Sequence, residues 1–172
     1  MTLLPILLHP DPVLRKISQP VIEITDDIVK LTDDMLQTML AAPGIGLAAP
    51  QVGVLQRVVV IDLNGRNGVS ADALRLINPE VIARSDEESE LKEGCLSLPE
   101  MVCPVWRPSE VTVKYMDING NQQTIEASGL LAKCLQHEID HLNGKLIFDY
   151  LSPLKRNMVL RRYTKMLKDR VS

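Results

Sequence analysis

Two of the three histidines in the chain, His137 and His141, stand four residues apart around Glu138. This His-Glu-x-x-His spacing constrains the fold more than any other feature of the sequence. On a helix, residues i and i+4 lie one above the other with Cβ atoms ~5–6 Å apart, so two imidazoles can grip one metal ion. Glu138 sits one residue further round, close enough to reach water activated at that ion without being a ligand. A catalytic site of this kind needs a third protein ligand and one open position. After His141 the chain has no His and no Glu, only Asp149 and Asp169, so the third ligand must come from upstream. The fold therefore has to bring a distant segment against one face of this helix.

Three thiols lie upstream: Cys95, Cys103 and Cys134. Cys134 shares the helix face, but it lies seven residues from His141, ~10.5 Å along the axis, too far for one ion with metal–ligand bonds of ~2.0–2.3 Å. It reads as a small core residue. Cys103 precedes Pro104 in a segment without a turn signal. Cys95 is the better choice, because Gly94 permits unusual backbone angles and the residues after it read as extended, which would aim the thiolate at a site with the Leu96 N–H alongside.

The remaining patterns say how such a helix could be framed. His9-Pro10-Asp11-Pro12 reads as an extended arm. Thr25 caps a helix with Asp26 and Asp27 in its first turn and Ile28, Leu31, Met35 and Met39 at helical spacing, ended by Ala42-Pro43-Gly44. Residues 44–51, Gly-Ile-Gly-Leu-Ala-Ala-Pro-Gln, read as a small-residue loop that lets backbone approach a ligand. Val58 to Asp62 is a β-branched strand, and Leu76-Ile77-Asn78-Pro79 reads as a strand ending at the proline. Asp86-Glu87-Glu88, with Glu90, reads as a solvated turn. Val111 to Tyr115 and Gln122 to Glu126 form a hairpin about Asn119-Gly120. The period then switches to a helix from Leu130 to Leu142, stopped by Asn143-Gly144. Ser152-Pro153 opens a last helix running to Lys168. No repeat, linker or second core is evident, so the expectation is one domain over residues 1–172.

Composition narrows the function classes. With 24% charged residues and no apolar run near the ~18 residues of a membrane span, a membrane protein is not expected. Three cysteines are too few and odd in number for a disulfide framework, and the first residues lack the pattern of a secretory signal, so a reducing, cytoplasmic location is expected. One Trp, three Tyr and one Phe cannot build the stacking platforms that read bases, so sequence-specific nucleic-acid binding is not expected. Residues 153–172 hold seven Lys/Arg against one Asp, an excess of +6 in a chain of net charge −3. That leaves −9 for the body, so the tail is a separate electrostatic object.

Taken together, Gly44-Ile45-Gly46-Leu47-Ala48-Ala49-Pro50-Gln51, Glu93-Gly94-Cys95-Leu96-Ser97 and Gln136-His137-Glu138-Ile139-Asp140-His141, in that order, resemble the peptide deformylase family. The resemblance extends from the Pro10-Asp11-Pro12-Val13-Leu14-Arg15 arm to Pro153. It implies an α+β fold, with antiparallel sheets packed around a central His-Glu-x-x-His helix and with N- and C-terminal helices. It also implies Cys95, His137 and His141 as metal ligands and Glu138 as general base and acid. The Gln51 amide and the Leu96 N–H would stabilise the oxyanion, and the Gly46 backbone would contact substrate. The substrate it implies is the N-formyl-methionine start of new polypeptides, with formate released. Ile45, Leu91, Leu130 and Cys134 are the expected methionine-pocket wall. Thiolate and imidazole suit zinc, whereas the resemblance implies Fe2+, with Zn2+, Ni2+ or Co2+ able to substitute.

Two positions depart from the family pattern. Lys133 stands where an apolar residue is usual, its stem expected to pack while its ammonium reaches water, and Val102 stands where a basic residue is usual. Two other readings of the chain are a His-Glu-x-x-His endoprotease and a catalytically silent, ribosome-associated metal-binding protein. The former lacks a downstream ligand, and the latter predicts loss of Glu138 or Gln51, both of which are present. In the tail, Val159, Tyr163, Met166 and Leu167 form an apolar strip among Lys155, Arg156, Arg161, Arg162, Lys165, Lys168 and Arg170. Such a helix fits salt-sensitive contacts with ribosomal phosphate.

Overall fold

Periodicity places the first helix where its cap predicts. In a computed structural model, which describes residues 2–171, α1 spans Asp26–Ala41, and Thr25 Oγ1 accepts from the Ile28 N–H at 3.4 Å. Asp26 and Asp27 meet the positive end of its dipole. Met35 and Met39 are fully buried against β1 (Gly46–Ala48), β2 (Val58–Ile61) and β3 (Leu74–Arg84).

Residues 44–51 are not a plain loop. Gly46 pairs with Ile61, Leu47 with Val60 and Ala48 with Val59, and a 3₁₀ turn follows over Ala49–Val52. The β-branched run of β2 supplies a ladder partner that the small residues do not announce by themselves. Nor does β3 end at Pro79. Pro79 has no N–H to give, and the ladder shifts register between Ile77 and Glu80, a bulge that lets the strand continue. At that bulge Asn78 has φ 52°, and its side chain accepts from the Val21 N–H at 2.8 Å and donates to the Val21 carbonyl at 2.9 Å.

β6 (Glu110–Met116) and β7 (Gln122–Ser128) form the expected hairpin, with Gly120 at φ 83° in its turn. Five strands make one antiparallel sheet in the order β1-β2-β3-β6-β7, and β4 (Glu88–Cys95) and β5 (Leu98–Pro108) make a separate two-stranded ribbon. Only Asp86 and Glu87 of the acidic stretch stay in a turn, because Glu88 and Glu90 are exposed positions of β4. Along β4, Ser89, Leu91, Glu93 and Cys95 alternate inward.

α2 spans Gly129–Leu142. Ala132, Leu135, Ile139 and Leu142 bury one side of it in a core with Val59, Leu76, Val111 and Val113 of the large sheet. Each fully buried Leu there is worth roughly 1.5–3 kcal/mol relative to exposure. The opposite side of α2 faces the β4–β5 ribbon. Antiparallel sheets with three helices make this an α+β fold.

α3 runs over Pro153–Val171, three residues beyond the expected end. Ser152 Oγ accepts from the Lys155 N–H at 3.3 Å. Tyr163 is buried beside Leu14, Cys103 and Phe148, and its hydroxyl donates to the His9 carbonyl at 2.7 Å. Val159, Met166 and Leu167 pack half-buried against that cluster, while Lys155, Arg161, Arg162, Lys165 and Lys168 are exposed. Among the described residues no helix is long and apolar enough to cross a membrane.

Candidate metal centre

The face of α2 that meets the ribbon carries His137 and His141, and Cys95 at the end of β4 comes opposite them. Their donor atoms lie within 4.8 Å of one another. His141 Nε2 is 3.2 Å from His137 Nε2 and 3.4 Å from the Cys95 Sγ. Of the three thiols, Cys95 is the one that the fold brings to both imidazoles, in a group that could hold a metal ion. Cys103 is fully buried in the cluster under α3, where burial and the nearby Glu93 push its thiol up to about 11. Cys134 is also buried, its thiol held well above the usual range by desolvation and by Glu138.

His137 is oriented from behind. Its Nδ1 lies 2.9 Å from Glu93 Oε1, which assigns the Nδ1 proton to that bond and leaves Nε2 free as a ligand atom. Glu93 takes two further bonds from Arg107, Nε to Oε2 at 2.8 Å and Nη2 to Oε1 at 3.0 Å. Arg107 Nη1 reaches Asp140 Oδ2 at 2.7 Å, and the guanidinium lies 4.7 Å over the Tyr150 ring. Burial alone would raise Glu93, but the bonds from His137 and Arg107 hold it below the ordinary carboxylate range. This chain of partners had a signal in the sequence, since Glu93 lies two residues before Cys95 and so shares its face in a strand. Arg107 and Asp140 had none, because only the ribbon pairing brings them together.

Glu138 is buried, its Oε1 3.9 Å from His137 Nε2, and desolvation pushes its carboxyl up to about 7. Gly46 makes room for it: a Cβ there would stand 2.6 Å from Glu138 Oε1 and 2.9 Å from Cys134 Sγ. The Gln51 Oε1 accepts from the Ala48 N–H at 2.9 Å, which turns Nε2 toward Ser97 Oγ at 3.0 Å and the Cys95 Sγ at 3.7 Å. Leu96 follows Cys95 in the ribbon's turn, with its side chain against Gly44.

A cavity of about 690 Å³ opens onto this cluster. Ten of the eleven residues singled out from sequence line it: Ile45, Gly46, Gln51, Leu91, Cys95, Leu96, Leu130, Cys134, His137 and Glu138. His141 lies behind them. Val102 stands exposed on the rim. Lys133 also lines the cavity, but its ammonium does not reach for water: it donates to the backbone carbonyls of Ser89 and Arg107. The long stem lies inside, and carbonyls at the ribbon's open end replace solvent.

The donor set fits a divalent cation by its own chemistry. One thiol and two imidazoles are soft-to-borderline ligands, and three of them leave a fourth position open. Burial and the proximity of His137 hold His141 well below the usual imidazole range, in the neutral form a ligand needs. Burial opposes charge on His137 too, yet Cys95, Glu138 and Glu93 outweigh it and favour a positive charge there, as they would favour a metal cation. Glu138 Oε2 and His141 Nδ1 are buried with no hydrogen-bond partner among the described residues.

The sequence pattern of the polypeptide deformylase family matches residues 3–157. A peptide deformylase of Rhizobium meliloti is 54% identical over 170 residues, which is 99% of this chain and 97% of that protein. The crystal structure of a peptide deformylase from Legionella pneumophila superimposes with TM-score 0.92 at 45% identity, covering 99% of this chain and 98% of that one. A peptide deformylase from Ehrlichia chaffeensis, solved in complex with actinonin, gives TM-score 0.88 at 43% identity, over 96% of this chain and 98% of that one.

Proposed function

The chain belongs to the polypeptide deformylase family, and from that membership we propose how its own residues remove the formyl group from the N-formyl-methionine of new polypeptides. The observation that carries the reading is the convergence of Cys95, His137 and His141 beside a buried carboxylate, Glu138, in one cavity. Cys95 Sγ and the two Nε2 atoms would hold one divalent ion, Fe2+ by family resemblance, with Zn2+, Ni2+ or Co2+ as substitutes. When bound, the ion supplies Lewis acidity and lowers the pKa of water in its open position.

Glu138 takes the proton released as water adds to the formyl carbon. A buried carboxyl with its pKa pushed up to about 7 suits proton exchange near neutral pH. The Gln51 Nε2 and the Leu96 backbone N–H donate to the oxygen on which negative charge develops, and the Gln51 amide is most useful there because it is itself buried. Glu138 then passes its proton to the leaving amine nitrogen, and formate departs. The Gly46 backbone runs beside the substrate, and Ile45, Leu91, Leu130 and Cys134 enclose the methionine side chain. Residues 1–172 would act as one domain in the cytoplasm.

The basic face of α3 would dock the enzyme on ribosomal phosphate, where its substrates emerge, without reading bases. Deleting α3 is a poor test, because Tyr163 and its neighbours are part of the core. Replacing Arg161, Arg162, Lys165 and Lys168 by Glu keeps that packing, and should abolish co-sedimentation with ribosomes at low salt. Equal co-sedimentation would assign docking elsewhere. For the reaction itself, the decisive measurement is formate release from formyl-Met-Ala-Ser by anaerobically purified protein loaded with Fe2+ or Co2+. No turnover with stoichiometric metal would end this reading.

A further inference from the structure

Lysine is almost never fully buried unless paired, yet Lys133 is 5% exposed and is held by two backbone carbonyls, with Arg107 O at 2.8 Å and Ser89 O as the second acceptor. Ser89 and Arg107 are register partners in the β4–β5 ribbon, four residues along β4 from Glu93. The ribbon is therefore tied to α2 at two levels. His137 meets Glu93, and one turn earlier Lys133 crosses to Ser89 and Arg107. Between the two ties Leu91 faces inward from β4, and Cys134 lines the same cavity from α2. One turn of helix is ~5.4 Å. The four zigzagging bonds of an extended methionine side chain, two C–C and two longer C–S, span about the same distance.

We propose that Lys133 is the end wall of the side-chain pocket and sets the longest unbranched side chain the enzyme accepts after the formyl group. The proposal rests on the deformylase reading given above. The wall is stiff because the stem cannot swing aside without pulling a buried ammonium off both carbonyls, which nothing else there would replace. An apolar residue of similar length would close the same space but could yield to a longer substrate.

The test compares formyl-norleucyl-Ala-Ser with formyl-2-aminooctanoyl-Ala-Ser, which is longer by two methylenes, on the metal-loaded enzyme. The readout is the ratio of kcat/KM for the long substrate over the short one. Lys133→Ala removes the wall, and the ratio should rise roughly tenfold, the gain expected from burying two more methylenes. Lys133→Met keeps the stem and loses the tether, so the wall should yield by about one methylene and the ratio should rise by about fourfold. Ratios unchanged from wild type in folded variants would overturn the proposal, and Lys133→Met alone decides it if the alanine variant does not fold. Calorimetric binding of the deformylated peptides reads the same length preference without turnover. A wild-type protein that hydrolyses no formyl peptide would overturn the deformylase reading, while the binding series would still decide the role of Lys133.

Discussion

Gly46→Ala is the smallest change that should disable the site without touching a metal ligand. The Cβ it adds would stand 2.6 Å from Glu138 Oε1 and 2.9 Å from the Cys134 Sγ, against the ~3.5–4.0 Å at which non-bonded atoms pack comfortably. Something must move by close to 1 Å. β1 is held by its ladder with β2, and Cys134 is fixed in the core on the rigid body of α2. The Glu138 carboxylate, a short side chain with one oxygen unpartnered among the described residues, is the group that gives. A misplacement of ~1 Å in a reacting group can cost about 10²-fold, so kcat should fall by roughly two orders of magnitude. Overpacking should cost ~1–3 kcal/mol of stability. Gly46 has no positive φ, so the backbone itself tolerates alanine. The assay is formate release alongside metal content and thermal unfolding. A folded, fully metallated Gly46→Ala enzyme turning over near the wild-type rate would refute the placement of Glu138 as proton carrier.

Glu138→Ala should retain its metal and lose about 10²–10⁴-fold in turnover, because in the proposed mechanism it removes the general base and no ligand; near-normal turnover of the metallated variant would refute that role. Cys95→Ala should release metal on dialysis, and stoichiometric metal afterwards would remove Cys95 from the ligand set. Arg107→Met strands Glu93 and Asp140, and removing one partner of a buried ion pair costs ~3–5 kcal/mol, which denaturant unfolding would register. In the metal-free protein, alkylation mapped by mass spectrometry should modify Cys95 and spare Cys103 and Cys134. Both spared thiols are buried with pKa pushed upward, and labelling of either before Cys95 would contradict that burial.

The parts of this fold governed by local periodicity were legible in the sequence. Thr25, the Asn119-Gly120 turn and Ser152-Pro153 each act through bonds a few residues away, so they mark α1, the β6–β7 hairpin and α3 without knowledge of tertiary structure. Gly46 to Ala48 and the run through Pro79 differ from what local pattern predicts because their state depends on partners. A strand of three small residues exists only because Val59 to Ile61 pair with it, and Pro79 sits in a strand only because the ladder shifts around it. The β5 strand was similarly silent, since Pro99, Pro104 and Pro108 obscure an element that a separate two-stranded ribbon can tolerate.

The site divides along the same line. His137, Glu138 and His141 were readable because helical spacing alone puts them together; the neighbours of Cys95 favoured it over Cys103, and the family resemblance implied it as the third ligand. What makes the cluster rigid was not readable, since Arg107 joins Glu93 on β4 to Asp140 on α2 across the ribbon. That link answers the requirement set by the histidines themselves. Two ligands on one helix need their third from a different element, so the distance between α2 and β4 must be held to a fraction of a bond length. The Glu93–His137 bond, the Arg107 bridge and the Lys133 tie all cross that gap. The same three cross-links that hold the thiol against the imidazoles also span the cavity beside them, so the proposed ligand geometry and the proposed side-chain selection would share one mechanical support.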